Sequence, residues 1–258
     1  MIAQIIEEKE KAIAKAKEKL PQDELIGKLK QTQGTRRDFK YAISRCGDIN
    51  LIGEIKKASP SRGIIRKDFD PAEIAKIYQV NGISAISVLT EEKYFSGSLD
   101  YINKIKKICT LPILRKDFIV DEYQIYESFY YGADAILLIA DILSVEQLIK
   151  FKDIALSFNM DSLAEAHSEE DLDKIIKAGA ELIGINNRDL HTFKLNLKTA
   201  ENLIGLIPKG KIIVIESGIK SNSDLMFFKS LGANAVLAGE VFMDAEDIGA
   251  KVKELLGK

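Results

Sequence analysis

Side chains that can transfer protons stand at the ends of several short apolar runs in this sequence. Glu54 and Lys56 end the first run. Lys116 follows the third run, and Glu165 follows the fifth. A lysine ammonium becomes a useful general acid when desolvation and a nearby cation lower its pKa while a carboxylate keeps it oriented. These residue types therefore indicate general acid–base catalysis with a lysine as the acid.

The spacing within the first run brings two opposite charges together. Residues two apart on a strand project to the same face, so we expect Glu54 and Lys56 side by side. Taken singly, such a charge also fits a solvated surface position, and Lys57 and Arg115 are examples of that alternative. The recurrence of charged or polar side chains at the ends of six strands favours an active site.

Two glycine-containing pairs indicate a second kind of chemistry. Ser217-Gly218 and Gly239-Glu240 follow the last two apolar runs. Glycine lets backbone N–H groups approach phosphate oxygens closely. One such pair is a weak signal, because glycine also ends strands for packing reasons. Two pairs at corresponding positions predict that the ligand is a phosphorylated small molecule.

Apolar runs and segments of helical periodicity alternate along most of the chain. The runs are Leu51–Ile55, Ile83–Leu89, Pro112–Arg115, Ala135–Ala140, Asp161–Ala164, Leu182–Ile185, Ile212–Ile215 and Ala235–Ala238. Between them, helices are predicted at 71–80, 121–131, 144–158, 168–178, 196–206 and 221–231. Several end in Asn-Gly or Gly-Ala, which is typical of a left-handed helix cap. This alternation predicts parallel βα units.

Eight such units within about 210 residues predict a closed (β/α)8 TIM barrel rather than an open doubly wound sheet. Residues 1–48 are predicted as an N-terminal helical extension, with a helix at 2–20, whose Lys and Glu face is solvated, and a second stretch near 36–46. No linker interrupts the series, so residues 1–258 are interpreted as one domain. Barrels of this kind place catalytic residues at the C-terminal strand ends and phosphate at the last two loops.

The composition limits the partners. Lys and Arg total 37 against 39 Asp and Glu, and a formal net charge of -2 predicts no nucleic-acid partner. Cys46 and Cys109 lack metal-ligand spacing and are expected as reduced thiols rather than a disulfide. With only two histidines, no metal site is expected. The N-terminus is no signal peptide and no apolar run reaches about 18 residues, so we expect a cytoplasmic protein without membrane contact.

Six segments together resemble the indole-3-glycerol-phosphate synthase family. They are EIKKASPSRG (54–63), LTEEKYFSGS (89–98), ILRKDFIVDEYQI (113–125), GADAILLIA (132–140), GINNRDLHTF (184–193) and ESGI (216–219). The resemblance covers about 49 to 243, and the combination of K-x-SPS, LRKDF and GINNRDL is specific. It implies conversion of 1-(2-carboxyphenylamino)-1-deoxyribulose 5-phosphate to indole-3-glycerol phosphate, carbon dioxide and water in tryptophan biosynthesis, without a cofactor.

The resemblance also implies roles for individual residues. Lys116 is the general acid toward the substrate ketone, and Glu165 is the partner acid/base for dehydration. Lys56 binds an anionic group and can share acid work, while Glu54 and Asn186 hold the lysine and substrate in place. Ser59 is implied to contact the substrate carboxylate, and Arg188 to border the aromatic ring. Gly218 and Gly239 are implied to contact the phosphate. Glu216 and Ser217 are implied as further substrate contacts. The apolar pocket for the anthranilate ring is implied at Phe95, Phe118, Leu137 and Leu190, which fit plain core packing equally well.

Three positions depart from common family patterns. The chain has Glu165-Ala166-His167 where many members read EVH, and 129–131 is aromatic where many carry an acidic-Ala-Arg run. Glu240 stands where a Ser-Leu-Met type ending is common, so its side chain is expected to point away and leave its backbone N–H to the phosphate. His167 and His191 are assigned no role.

Other functions remain compatible with parts of this pattern. A phosphoribosylanthranilate isomerase-like barrel enzyme would need another acid/base pair and lacks the LRKDF run. A Schiff-base aldolase would use Lys56 or Lys116 as nucleophile. A barrel kept only as a binding module would not need the catalytic set. Association with other tryptophan-pathway enzymes is left open.

Overall fold

The computed structural model describes residues 2–29 and 36–258. The barrel strands are β1 (Asn50–Ile55), β4 (Ala85–Leu89), β5 (Ile113–Lys116), β6 (Ala135–Ile139), β7 (Asp161–Ala166), β8 (Leu182–Asn186), β9 (Ile212–Glu216) and β10 (Ala235–Ala238). A short hairpin after β1 consists of β2 (Ala58–Ser59) and β3 (Gly63–Ile64). The described helices are α1 (Ile2–Lys19), α2 (Gln22–Leu29), α3 (Phe39–Ile43), α4 (Pro71–Val80), α5 (Asp100–Lys106), α6 (Tyr123–Tyr131), α7 (Val145–Ser157), α8 (Glu169–Lys177), α9 (Lys198–Ile204), α10 (Asn222–Ser230), α11 (Glu240–Met243) and α12 (Ile248–Leu256).

The eight barrel strands are all parallel and close into a ring in the order β1-β10-β9-β8-β7-β6-β5-β4. Each strand is hydrogen-bonded to the strands before and after it in the barrel, and β10 closes the ring on β1. Residues of β1, β4, β6 and β10 are buried on both faces, as expected when helices cover the outside of a parallel sheet. The predicted (β/α)8 fold is confirmed.

Local sequence signals account for many of the element boundaries. The helix predicted at 71–80 coincides with α4, where Asp70 caps the first turn and Pro71 occupies its start. The glycines predicted to end helices, Gly82, Gly132, Gly179 and Gly232, all have positive φ. The sequence prediction did not include α2, α5, α11, α12 or the β2–β3 hairpin, because these are short or adjoin stronger periodic signals.

The N-terminal segment packs against the barrel through a few buried side chains. Phe39 and Ile43 of α3 belong to the same apolar cluster as the barrel interior. The backbone N–H of Lys40 donates to the side chain of Asp161, which begins β7, so α3 covers the N-terminal end of the barrel. The predicted extension spans 1–48, of which residues 1 and 30–35 lie outside the described residues.

The charged face of α1 is only partly solvated. The predicted apolar stripe is Ile2, Ile6, Ile13 and Leu20, of which Ile13 is buried and the other three are half-buried. Ile5, which was not predicted, and Lys9 are also buried. The Lys9 ammonium lies 2.7 Å from the carboxylate of Asp117, directly after β5. The expectation that this whole face is solvated was therefore wrong at Lys9, because a strand-end carboxylate supplies a buried partner.

Candidate active site

A pocket opens at the C-terminal ends of the barrel strands, and every residue predicted for the site lies on its lining. The strand ends contribute side chains from several directions, and the following loops form the rim. Those predicted residues are Glu54, Lys56, Ser59, Phe95, Lys116, Phe118, Leu137, Glu165, Asn186, Arg188, Leu190, Glu216, Ser217, Gly218, Gly239 and Glu240. Closure of the barrel thus brings together residues that are far apart in the chain.

Lys116 stands at the centre of the pocket between two carboxylates. Its ammonium donates to Glu165 Oε2 at 2.6 Å and also to Glu216 Oε2. These residues lie at the ends of β5, β7 and β9, the third, fifth and seventh strands of the barrel. Side chains from alternate strands share one layer of a barrel interior, which explains why the three meet. We refer to Lys116, Glu165 and Glu216 as the buried cluster.

Burial makes the proton affinities in this cluster interdependent. Burial raises the pKa of Glu216 to about 8, and the charge of Glu165 adds to the rise while Lys116 opposes it. Burial also favours the neutral form of Glu165, but Lys116 and His167 outweigh it and lower the pKa of Glu165 to about 2. Burial of two carboxyl groups around a single ammonium therefore favours the protonated form of Glu216 and the ionised form of Glu165.

The pKa of Lys116 differs from the expectation based on the sequence. Burial alone lowers the pKa of Lys116, but the charges of Glu165, Glu216 and Glu54 outweigh burial and hold that pKa above its ordinary value. The expectation of a lowered lysine pKa is wrong for this structure, because the carboxylates of three other barrel strands, β1, β7 and β9, raise the pKa of the ammonium.

Glu54 and Lys56 form a second ion pair in the same pocket. Lys56 Nζ lies 2.7 Å from Glu54 Oε1, and both side chains are largely buried. Their predicted juxtaposition on one strand face is therefore present. Glu54 does not contact Lys116 directly, so the orienting contacts that the sequence assigned to it are made by Glu165 and Glu216. Glu216 was expected only as a substrate contact.

Two glycines provide the space that these carboxylates occupy. A Cβ atom at Gly184 would lie 2.5 Å from Glu216 Oε1. A Cβ atom at Gly239 would lie 2.5 Å from Glu54 Oε1. Any larger residue at either position would displace a carboxylate, so glycine here sets the position of charge as well as the path of the backbone.

The loop after β9 begins in an uncommon backbone conformation. Ser217 and Gly218 both have positive φ, at 68° and 86°. Positive φ is uncommon for serine and is found disproportionately at functional sites. Asn187, which the sequence did not single out, is buried and donates to the carbonyl of Ser217. Its side-chain oxygen accepts from the N–H of Ala200, so it fixes the loops after β8 and β9 together.

Glu240 points toward two arginines at the pocket mouth. Its carboxylate lies 3.0 Å from Arg62 Nη1 and 2.9 Å from Arg188 Nη2. Asp244 also pairs with Arg62. We refer to Arg62, Arg188, Glu240 and Asp244 as the mouth cluster. Arg188 donates in addition to the carbonyl of Phe193, so its side chain is shared between the loop after β8 and α11.

One wall of the pocket is apolar. The rings of Phe95 and Phe118 lie 6.3 Å apart between centroids, and Leu137 and Leu190 are buried beside the same cavity. These four predicted side chains therefore form an apolar wall of the pocket. Sequence reasoning missed Phe193, Ile139 and Leu237, which also line it; Ile139 and Leu237 belong to predicted strands, and their inward direction was the available signal.

Arg115 is a buried structural residue, which overturns the alternative of a solvated side chain. Its guanidinium pairs with Asp117 and Glu127, each at 3.0 Å. Asp117 also pairs with Lys9 of α1, and Lys9 and Arg115 together outweigh burial and lower the pKa of Asp117 to about 2. This network fixes the backbone immediately after Lys116.

Metal-ligand clusters and membrane-spanning helices were also sought among the described residues. Within residues 2–29 and 36–258, no group of three or more His, Cys, Asp or Glu side chains is placed to hold a metal ion. Among the helices described, none combines the length and apolar character needed to cross a membrane.

The closed parallel barrel and the acid–base cluster at its C-terminal face define a (β/α)8-barrel enzyme. The fold is similar to that of 3-hexulose-6-phosphate synthase from Salmonella typhimurium, with a TM-score of 0.65 and 15% identity over 80% of this chain and 96% of that chain. At this identity the similarity concerns the fold alone.

Sequence comparison defines the family. The family model of indole-3-glycerol phosphate synthase matches residues 2–255. The chain is 54% identical over 217 residues to indole-3-glycerol phosphate synthase of Acetivibrio thermocellus, covering 84% of each. It is 49% identical to that of Caldanaerobacter subterraneus subsp. tengcongensis, covering 100% of this chain and 98% of the relative. The chain belongs to the indole-3-glycerol phosphate synthase family. It is a carboxy-lyase of tryptophan biosynthesis with a small phosphorylated substrate.

Proposed function

We propose that the barrel pocket closes the indole ring of 1-(2-carboxyphenylamino)-1-deoxyribulose 5-phosphate, with Lys116 as the general acid. The observation that carries this proposal is the position of the Lys116 ammonium, buried at the centre of the pocket between Glu165 and Glu216. A ketone oxygen that replaces one of these carboxylates would receive a directed N–H donor. Positioned proton transfer of this kind typically contributes about 10²–10⁴-fold to a rate.

The raised pKa of Lys116 is compatible with that role. It keeps the side chain protonated when the substrate arrives. As the aromatic carbon attacks the ketone, the ketone oxygen becomes an alkoxide, which is a stronger base than a lysine amine. The proton therefore moves to substrate as the carbon–carbon bond forms. The protonated state of Glu216 limits the negative charge that holds the ammonium back.

Glu165 is assigned to the later steps. Carbon dioxide leaves first, which restores the aromatic ring. Loss of the hydroxyl group then requires a proton donor, and the amine proton requires a base. Glu165 is ionised in the free pocket and lies within hydrogen-bond distance of Lys116, so the two can divide these transfers. Lys56, paired with Glu54, is assigned mainly to binding an anionic group.

Binding at both ends of the substrate would fold its flexible chain so that the reacting carbons meet. The phosphate is assigned to backbone N–H groups of Gly218, Gly239 and Glu240, and the substrate carboxylate to Ser59. The anthranilate ring is assigned to the apolar wall, with Arg188 at its border. Holding both ends pre-orients the reaction and reduces its entropic barrier. Glu54 and Asn186 are assigned to positioning.

The proposal includes the setting of the enzyme. The two free thiols, exposed Cys46 and buried Cys109, are compatible with a reducing cytoplasm. The net charge of -2 supports a small-molecule substrate over a nucleic-acid partner. We retain the interpretation of residues 1–258 as one domain with residues 1–48 as a helical extension.

A direct assay tests this function. Purified protein is mixed with the carboxyphenylamino substrate, and indole formation is followed by fluorescence while carbon dioxide release is measured. Equal amounts of indole-3-glycerol phosphate and carbon dioxide are expected. Production of this substrate from phosphoribosylanthranilate would identify an isomerase instead. Borohydride trapping of a substrate adduct on Lys56 or Lys116 would identify Schiff-base chemistry, and binding without turnover would leave a binding module.

A further inference from the structure

His167 is a buried titratable side chain that the proposed mechanism does not use. It follows β7, and its side chain is 9% exposed. Neither Nδ1 nor Nε2 has a hydrogen-bond partner among the described residues, although both atoms are buried. A buried imidazole must carry at least one N–H, and leaving that group unpaired is unfavourable. In this structure the imidazole therefore has an N–H group without a hydrogen-bond partner among the described residues.

Glu165 is positioned to be that partner. Residues two apart on an extended chain share a face, and His167 Nε2 lies 3.4 Å from Glu165 Oε1. The other carboxylate oxygen, Oε2, is held by Lys116. A separation of 3.4 Å is slightly long for an N–H···O bond, and such bonds often shorten when substrate binds. The two oxygens of Glu165 thus face two different proton-bearing groups.

The backbone of His167 is fixed from the outer layer of the barrel. Its N–H donates to the carboxylate of Asp171 in the first turn of α8, at 3.1 Å. Ser168 caps the same helix. The start of α8 therefore holds the imidazole against Glu165 and leaves its rotation about the side-chain bonds as the main freedom.

We propose that His167 is a positioning residue that donates Nε2–H to Glu165 Oε1 when Lys116 turns from Glu165 to the substrate ketone. This inference rests on the acid–base role proposed for Glu165. When Lys116 is engaged with substrate, Glu165 would otherwise lose its closest donor in a buried site. The imidazole then keeps the carboxylate ionised and oriented for the dehydration step.

Several charged groups surround this pair and contribute to its pH dependence. They lie on three elements, β5, β9 and α8. The groups are Lys116 on β5, Glu216 on β9, and Asp171 and Lys174 on α8, of which Lys174 donates to the carbonyl of Ala140. Variants of His167 leave all of them in place, so a shift in the pH profile reports on the His167–Glu165 contact.

The first experiment compares His167→Leu with His167→Gln. Leucine keeps apolar bulk and removes the donor, whereas glutamine can present an N–H near the position of Nε2. We expect His167→Leu to lower kcat about 10- to 100-fold with KM changed less than about twofold. The acid limb of its kcat profile should move to higher pH, because an ionised carboxylate without its donor binds protons more readily. His167→Gln should recover most of the lost kcat.

The other histidine provides a matched control. His191 is exposed and pairs with Asp141 at 3.1 Å, outside the buried cluster. His191→Gln should leave kcat and its pH profile unchanged. Equal losses of kcat in His167→Leu and His167→Gln without a shift of the acid limb would overturn the proposal and indicate a packing role.

A variant of Glu165 separates this inference from the function on which it rests. In a Glu165→Gln background, His167→Leu should cause no further loss of kcat, because the group that it positions has been removed. If Glu165→Gln itself retains full kcat, the proposed role of Glu165 fails. If Glu165→Gln is impaired and His167→Leu is not, only the inference about His167 fails.

An NMR measurement keeps the proposal testable if His167→Leu does not fold. The chain has two histidines, so ¹⁵N imidazole signals can be assigned with His191→Gln. Binding of the product, indole-3-glycerol phosphate, should move the Nε2 signal of His167 toward a hydrogen-bonded Nε2–H. An unchanged Nε2 signal on saturation with product would overturn the proposal.

Discussion

The buried cluster and the mouth cluster use the same kinds of charged groups in different surroundings. In the buried cluster, the side chains of Lys116, Glu165 and Glu216 are 13%, 2% and 1% exposed. In the mouth cluster, Arg62, Glu240 and Asp244 are 44%, 35% and 42% exposed. In the buried cluster, two carboxyl groups contact one cation. In the mouth cluster, Arg62 contacts two carboxylates and Glu240 contacts two arginines. The arrangements are similar, so burial is the main difference between the clusters.

Burial decides what each cluster can do. Water screens the mouth cluster, and exposed ion pairs typically contribute about 0–1 kcal/mol. Water does not screen the buried cluster, so its members shift one another's pKa values, and the raised pKa of Glu216 favours its protonated form. The buried cluster is therefore suited to proton transfer, whereas solvent screens the charges of the mouth cluster.

Removal of the buried cation should have the largest effect. Lys116→Met keeps the aliphatic stem and removes the proton donor, so kcat should fall by at least about 10³-fold while product binding persists. Lys56→Met is the matched control and should weaken binding with a smaller loss in the chemical step. Single-turnover kinetics and product titration measure both. Equal losses of chemistry would show that the two lysines act as one unit.

Removal of the titrating carboxylate should have the next largest effect. Glu165→Gln retains shape and most hydrogen bonding, so kcat should fall about 10²-fold with little change in KM. Steady-state kinetics at several pH values provide the measurement. A kcat equal to that of the unchanged chain would remove Glu165 from the acid–base mechanism and weaken the contrast between the two clusters.

A charge placed in the loop between the clusters tests the phosphate site. Ser217 has positive φ, which aspartate and asparagine tolerate better than most residues. Ser217→Asp should raise KM by about tenfold or more, because it places a carboxylate where the phosphate dianion is expected. Ser217→Asn has the same shape without the charge and should raise KM much less. Equal values of KM for the two variants would argue against phosphate binding at this loop.

The shifted pKa of Glu216 should be visible in the stability of the protein. Its pKa is raised from 4.5 to about 8 by burial, so the folded state binds more protons than the unfolded state between these values. The free energy of unfolding should therefore fall as pH rises from about 4.5 through about 8. Glu216→Gln should reduce that fall by on the order of 1 kcal/mol or more.

Urea unfolding between pH 5 and pH 8.5 measures this slope. Glu240→Gln is the control, since it removes a carboxylate from the mouth cluster, and it should leave the slope nearly unchanged. A slope that Glu216→Gln does not alter would mean that Glu216 is ionised throughout this range, and the proposed protonation state of the buried cluster would be wrong.

The smallest effect is expected in the mouth cluster. Glu240→Gln should change the free energy of unfolding by less than about 1 kcal/mol, and added salt should reduce the change further. Urea unfolding at low and high salt, with a double-mutant cycle to Arg62→Gln, provides the measurement. A salt-independent loss of about 3 kcal/mol would place this cluster in the same energetic class as the buried one.

Patterns along the chain predict the fold and the charged residues of the pocket, whereas Phe193, Ile139 and Leu237 of its apolar wall were missed. Apolar runs of strand length, alternating with helical periodicity, predicted the eight barrel strands, and glycines after helices predicted the left-handed caps. The general rule for such barrels then placed Lys116, Glu165 and Glu216 at one mouth. These features are local or repeat along the chain, so a single sequence contains them.

Pairs between charged groups on distant strands become visible only in the folded barrel. Lys116 pairs with residues 49 and 100 positions away, whereas the pair of Glu54 and Lys56 was expected from strand spacing. Arg115 is buried beside Asp117 and Glu127, although the sequence also allowed a solvated position, and the 3.4 Å separation of His167 from Glu165 was not predicted. Strand periodicity states which face a side chain occupies, but barrel closure and register decide what lies opposite, and burial there sets how strongly each charge affects its neighbours.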